Sequence, residues 1–210
     1  MPEADRFAAA VAAIDAANAE DPVQLEVDGA RRAKELVHAD VVERWVRALD
    51  PEADELQLLA ARAHHLRRWV VPRTDYPEGR AGYLRWRRDH KERQAAEAGA
   101  ILAEHGYRPD EVERVGAIIA KRGLGTDPAV QVHEDALCLT FLELQADPVA
   151  AQLGAERTVE VLRKTLVKMS PAAIEAAGRL ALSPDAAALL AAAVGDPASP
   201  TLSPPPERKG

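Results

Sequence analysis

With one cysteine, two methionines and two phenylalanines in 210 residues, several kinds of chemistry are hard to build. Cys138 has no internal disulfide partner, and its place in an apolar helical pattern reads as a small core residue rather than a nucleophile. Aromatic residues make up only 4% and β-branched runs are scarce, which removes the usual signature of an extensive sheet. The longest purely apolar run, Ala186 to Val194, is about half of what a membrane span needs. The start, Met1 to Phe7, is charged rather than signal-like, so a soluble, cytoplasmic protein is expected. A phosphate-cradling glycine loop is missing, because Arg122-Gly123-Leu124-Gly125-Thr126 has no lysine after its glycines. Neither Ser170 nor Ser183 sits in a nucleophile elbow; each precedes a proline and reads as a helix cap.

What is present favours helices. Alanine is abundant, 47% of the chain is apolar, and apolar residues recur at helical spacing. The expectation is an all-α protein: one multi-helix domain over 1–195 and a disordered, proline-rich tail over 196–210. The pattern predicts helices over 6–17, 30–49, 54–70, 83–105, 110–122, 128–146, 156–169, 171–182 and 185–194, with a Pro/Gly loop over 72–82. Asp54 is a natural N-cap.

Charge is distributed unevenly. The whole chain carries −7, yet from Arg62 to Arg93 ten basic residues face only four acidic ones. Within that island Arg67, Arg68 and Arg73 flank the Pro72 loop, and guanidinium forks suit phosphate, sulfate or carboxylate. Lys121 is a further candidate for orienting an anion. A pI near 5.4 and the absence of a nucleic-acid-binding motif argue against nucleic acid and for a small anionic or phosphorylated ligand. The bland alternative is a surface network in which these arginines pair with Asp75, Glu78, Asp89 and Glu92.

Histidines supply the other signal. His38 shares the inward stripe of its helix with Val42 and Trp45, and His65 shares one with Leu58, Arg62 and Trp69. His64 lies about 100° around the helix from His65, so both imidazoles meet one centre only if the helix end unwinds. Asp135 falls inward among Leu137, Leu139 and Leu142, where a carboxylate needs a cation, a metal or donors. His90, His105 and His133 read as exposed. Each inward histidine also has a purely structural reading, as a hydrogen-bonded core residue.

The order His38, His64-His65, Asp135 resembles that of the HD-domain superfamily, whose helical proteins bind a divalent metal and hydrolyse phosphate esters. The resemblance implies a metal (Mn, Fe, Co or Zn) held by His38, His64, His65 and Asp135. Asp135 and His65 would be catalytic, and Arg67, Arg68, Arg73 and Lys121 would bind the anion. His65 stands where that superfamily has Asp. From about Arg6 to Leu182 the chain is also similar to the domain of unknown function 4202 family. That similarity rests on Ala60-Ala61-Arg62-Ala63-His64-His65-Leu66-Arg67-Arg68-Trp69, Glu134-Asp135-Ala136-Leu137-Cys138-Leu139 and Leu162-Arg163-Lys164-Thr165-Leu166, and it implies no activity. Two functions follow as expectations: an HD-like metal-dependent phosphohydrolase, or a metal-free helical binding or regulatory protein with an arginine-lined anion pocket.

Overall fold

The computed structural model describes residues 3–27 and 29–195; the tail expected at 196–210 lies outside them. The described residues hold nine α-helices, two single 3₁₀ turns and one small hairpin, which bears out the all-α class. They form two compact units, one running to His133 and the other beginning at Glu134.

In the first unit, α1 (Glu3–Ala19) leads to a hairpin of β1 (Gln24–Val27) and β2 (Ala30–Ala33), paired antiparallel with Gln24 opposite Ala33. Helix was expected from Ala30, but α2 (Lys34–Leu49) starts four residues later. The Asp28-Gly29 sequence favours a tight hairpin connection, and Gly29 takes φ +76°, so local turn chemistry claims the residues that helical periodicity would have used.

Asp54 caps α3 (Glu55–Ala63) as expected: its Oδ1 accepts from Gln57 N at 2.8 Å, and Gln57 Oε1 accepts from Asp54 N at 3.1 Å. The helix stops at Ala63 rather than running to Val70. His64 to Arg67 form turns, Arg67 takes a left-handed φ of +46°, and Arg68–Val70 make a single 3₁₀ turn. Leu66 holds this unwound stretch in place, because its side chain is fully buried with Leu59, Leu102, Ile118 and Ile119. Freed backbone carbonyls find side-chain donors: Asn18 Nδ2 reaches Arg62 O at 3.2 Å and Arg93 Nη2 reaches Arg67 O at 2.9 Å.

The long α4 (Gly79–Glu104) packs on α5 (Pro109–Ile119), and α3 packs on both α2 and α5. Arg62 ties α1, α2 and α3 together. Its guanidinium donates to Asp15 at 2.7 and 2.8 Å, to Glu43 at 2.7 Å and to Asp40 at 3.1 Å, so three carboxylates share one buried cation.

The chain passes from one unit to the other within α6 (Pro128–Leu153). In the second unit α7 (Ala155–Leu166) packs on α9 (Pro184–Val194). Ser170 and Ser183 cap α8 (Pro171–Ala177) and α9, accepting from Ala173 N at 3.3 Å and Ala186 N at 3.0 Å, with proline at N1 in both. Cys138 is buried, as its pattern predicts.

Candidate metal centre

Glu35 and His38 lie one turn apart at the start of α2, on the same side of the helix. His65 reaches them from the turn after α3, and its Nδ1 is 3.0 Å from Glu35 Oε2. One ligand atom from each of the three residues lies within 4.8 Å of the others. Ligands about 2.0–2.2 Å from one ion stand about 3.3–4.4 Å apart, so three donors all within 4.8 Å of one another can converge on one ion with a small shift. Donor chemistry agrees. Burial holds His38 down to about 3, with the neighbouring His65 adding to the effect and Glu35 opposing it. Burial also pushes His65 well below its ordinary value, reinforced by Arg68, Lys34 and Lys121. Both rings are therefore neutral near pH 7 and offer lone pairs. Glu35 is pushed upward by burial, against the pull of His38, Lys34 and Arg68, so a cation between these groups would relieve the cost of burying its carboxylate.

The unwinding after Ala63 has a direct consequence for the adjacent histidines. His65 turns toward His38, with ring centroids 5.1 Å apart, while His64 turns toward His133, whose Nε2 is 3.1 Å from His64 Nδ1. His64 and His65 still touch at 4.8 Å between centroids, so four imidazoles run in file through the interior. His133 is buried, contrary to the exposed position expected for it, because it pairs with His64. His90 is buried too. Its Nε2 lies 2.7 Å from the Val71 carbonyl, which also accepts from Trp86 Nε1 at 3.1 Å, and the indole stacks edge-on against the imidazole. A carbonyl only accepts, so Nε2 carries the proton and Nδ1 keeps a lone pair, with no hydrogen-bond partner among the described residues. His105 is half-buried, with Nδ1 2.7 Å from Ile101 O.

Among the cations expected to bind an anion, Arg68 is the one whose guanidinium has neither ion pair nor hydrogen bond among the described residues. It is half-buried, stacks over Trp86 at 4.8 Å, and is electrostatically coupled to Glu35 and His65. Lys121 lies within electrostatic reach of both His64 and His65. Arg67 sits 3.5 Å from Glu20, and Arg73 braces its own loop by donating to Tyr76 O at 2.9 Å, Pro77 O at 2.8 Å and Gly79 O at 3.3 Å. Arg67 and Lys121 are the two non-glycine residues with positive φ among the described residues. Such a conformation costs about 1–2 kcal/mol, and here both instances fall beside the histidine file.

Asp135 belongs to the second unit. It is buried as predicted, and its Oδ1 accepts from Ser170 N at 2.9 Å. Its neighbour Glu134 is buried as well, with Lys168 Nζ 3.2 Å from Oε1. Sequence reasoning missed Glu35 and Lys34. The Glu35-Leu36-Val37-His38 spacing, Glu and His at i and i+3 on an amphipathic helix, was the available signal.

Fold and site together define a helical protein with a buried Glu-His-His cluster able to hold a metal ion, set among basic side chains. The chain belongs to the domain of unknown function 4202 family (DUF4202), whose model matches residues 8–190. No curated protein and no solved structure matches it. None of the described helices is long and apolar enough to cross a membrane.

Proposed function

We propose that this protein is a metal-dependent hydrolase of a small phosphorylated metabolite or nucleotide, with Glu35, His38 and His65 holding a divalent metal. The observation that carries this is an excess of positive charge around one carboxylate. Lys34, Arg68 and Lys121 all act electrostatically on His65, while Glu35 is the one acidic residue of the candidate cluster. A half-buried guanidinium with neither an ion pair nor a hydrogen bond among the described residues is costly, and an anionic substrate is the natural way to offset it.

A bound divalent metal supplies Lewis acidity and lowers the pKa of a coordinated water toward neutrality. Arg68, fixed by its stacking on Trp86, faces the phosphoryl oxygens with paired donors and opposes charge that builds in the transition state. Lys34 and Lys121 add to the same field. The His90 Nδ1 lone pair accepts a hydrogen bond from water or from a substrate hydroxyl. In the net reaction the water oxygen bonds to phosphorus, the ester P–O bond breaks, and a water proton ends on the leaving alcohol. The order of histidines along the chain, similar to that of HD-domain proteins, supports hydrolysis over other metal chemistry.

The Glu35–His65 contact favours a second reading, since it is also a sufficient hydrogen bond for a metal-free binding protein. Phosphate release from a panel of nucleotides and sugar phosphates, with manganese, iron, cobalt or zinc added, separates the two. Turnover that needs metal and is lost in His38→Ala supports the hydrolase. Binding without turnover under every metal supports the alternative.

A further inference from the structure

A groove of about 380 Å³ runs along the outer side of α4 beside the end of α5. One wall carries Leu84, Arg87, Arg88 and Lys91, residues three or four apart that share a helical face. Ala120 and Arg122 form the other wall. Glu92 is the single acid in the lining, and Arg88 already lies 3.9 Å from it and 3.0 Å from Asp89. Arg87 and Arg122 make no ion pair among the described residues.

A helix C-terminus ordinarily gives nearby cations something to do, because its last carbonyls attract them. Here the backbone has taken that role. Lys121, in its left-handed conformation, donates its N–H to Ile118 O at 2.9 Å, and Arg122 N–H donates to Ala117 O at 2.9 Å. The Arg122 side chain is thereby left exposed and facing the groove. The Arg87 guanidinium stands 5.8 Å from the Tyr83 ring, and Leu84 and Ala120 supply apolar surface between the basic groups. Small-molecule sites span about 300–1,000 Å³, which puts this groove at the size of one phosphorylated metabolite.

We infer that this groove is a second anion site, lined by none of the histidine-cluster residues although Arg87 lies within electrostatic reach of Arg68. It takes a small organic diphosphate whose phosphates bridge Arg87 and Arg122 and whose organic part rests on Leu84 and Ala120. Lys91 adds a third positive charge. The inference needs no metal and stands whether or not the Glu-His-His cluster is catalytic.

The test is calorimetric titration of the full-length protein with ADP at about 0.15 M salt, where weak surface attraction is screened. Three proteins are compared: wild type, Arg87→Ala with Arg122→Ala, and Lys34→Ala with Arg68→Ala. The groove predicts a saturable ADP site that weakens roughly ten-fold or more in the first variant and is kept in the second, whether or not a further ADP binds at the histidine cluster. Equal melting midpoints are expected for wild type and the first variant, since neither removed arginine holds an ion pair. No saturable binding, unchanged binding after loss of Arg87 and Arg122, or equal loss in both variants would each overturn a separate groove site.

Discussion

Glu35 and His65 are thirty residues apart in the chain, yet Glu35 Oε2 and His65 Nδ1 meet at 3.0 Å inside the protein. Their meeting depends on α3 ending at Ala63, because a continuous helix would carry His65 around with its neighbours. Leu66 enforces that ending from the core.

Leu66→Ala therefore has two expected effects. Removing a fully buried leucine costs about 2–5 kcal/mol of stability, as would Leu102→Ala in the same cluster. Metal affinity should fall further in the Leu66 variant, since Leu66 is itself part of the His64–Arg68 turn while Leu102 packs against the same core from α4. Urea denaturation alongside metal titration checks this; an equal loss of affinity in both variants would contradict the role given to the turn.

Arg68 should trade function against stability. Arg68→Met keeps an unbranched side chain on Trp86 and removes a half-buried cation that has no ion pair. Its melting midpoint is expected to match or exceed that of the native protein, while kcat/KM for a phosphorylated substrate falls by about 10²–10³-fold. A marked drop in melting temperature would show that Arg68 is structural.

The sequence carried helix number and class well and carried helix ends poorly. Periodicity finds α3, but it reads His64 to Val70 as more of the same helix, because those residues fit an apolar stripe. What ends the helix is non-local: Asn18 from α1 and Arg93 from α4 accommodate the backbone, and Leu66 finds its pocket among α4 and α5. His38 and His65 were legible as inward residues, whereas Glu35 was hidden in what reads as an ordinary charged first turn. His90 and His133 looked exposed since neither position falls on an obviously apolar stripe; each is buried against a polar partner, Val71 O and His64, that no local pattern encodes.

Acid should weaken the Arg114–Asp127 link. The hydrogen bond and charge of Arg114 hold the Asp127 carboxyl below its ordinary value, so the unfolded chain binds its proton first as pH falls. The stabilisation is full above the unfolded pKa of about 3.9 and disappears as pH drops through the lower folded value. Asp127→Asn retains an oxygen to accept from Ala129 N, where Asp127 Oδ1 now stands at 3.0 Å, but loses the ion pair. The variant should be less stable by about 1 kcal/mol at pH 7, a size limited by solvent access to the pair, and should converge on wild type as pH falls through the lowered folded value. Urea midpoints across that range test it, and a difference that stays constant with pH would rule the ion pair out as its cause.

The central claim is that Glu35, His38 and His65 bind one ion, and elemental analysis of untagged protein addresses it most directly. Wild type should carry about one divalent metal per chain, or take up one when manganese, iron, cobalt or zinc is supplied. Glu35→Gln, His38→Ala and His65→Ala should each lose it while remaining folded by circular dichroism. Protein that holds no metal and takes up none of the four, or variants that keep the full wild-type content, would contradict a metal centre at this site.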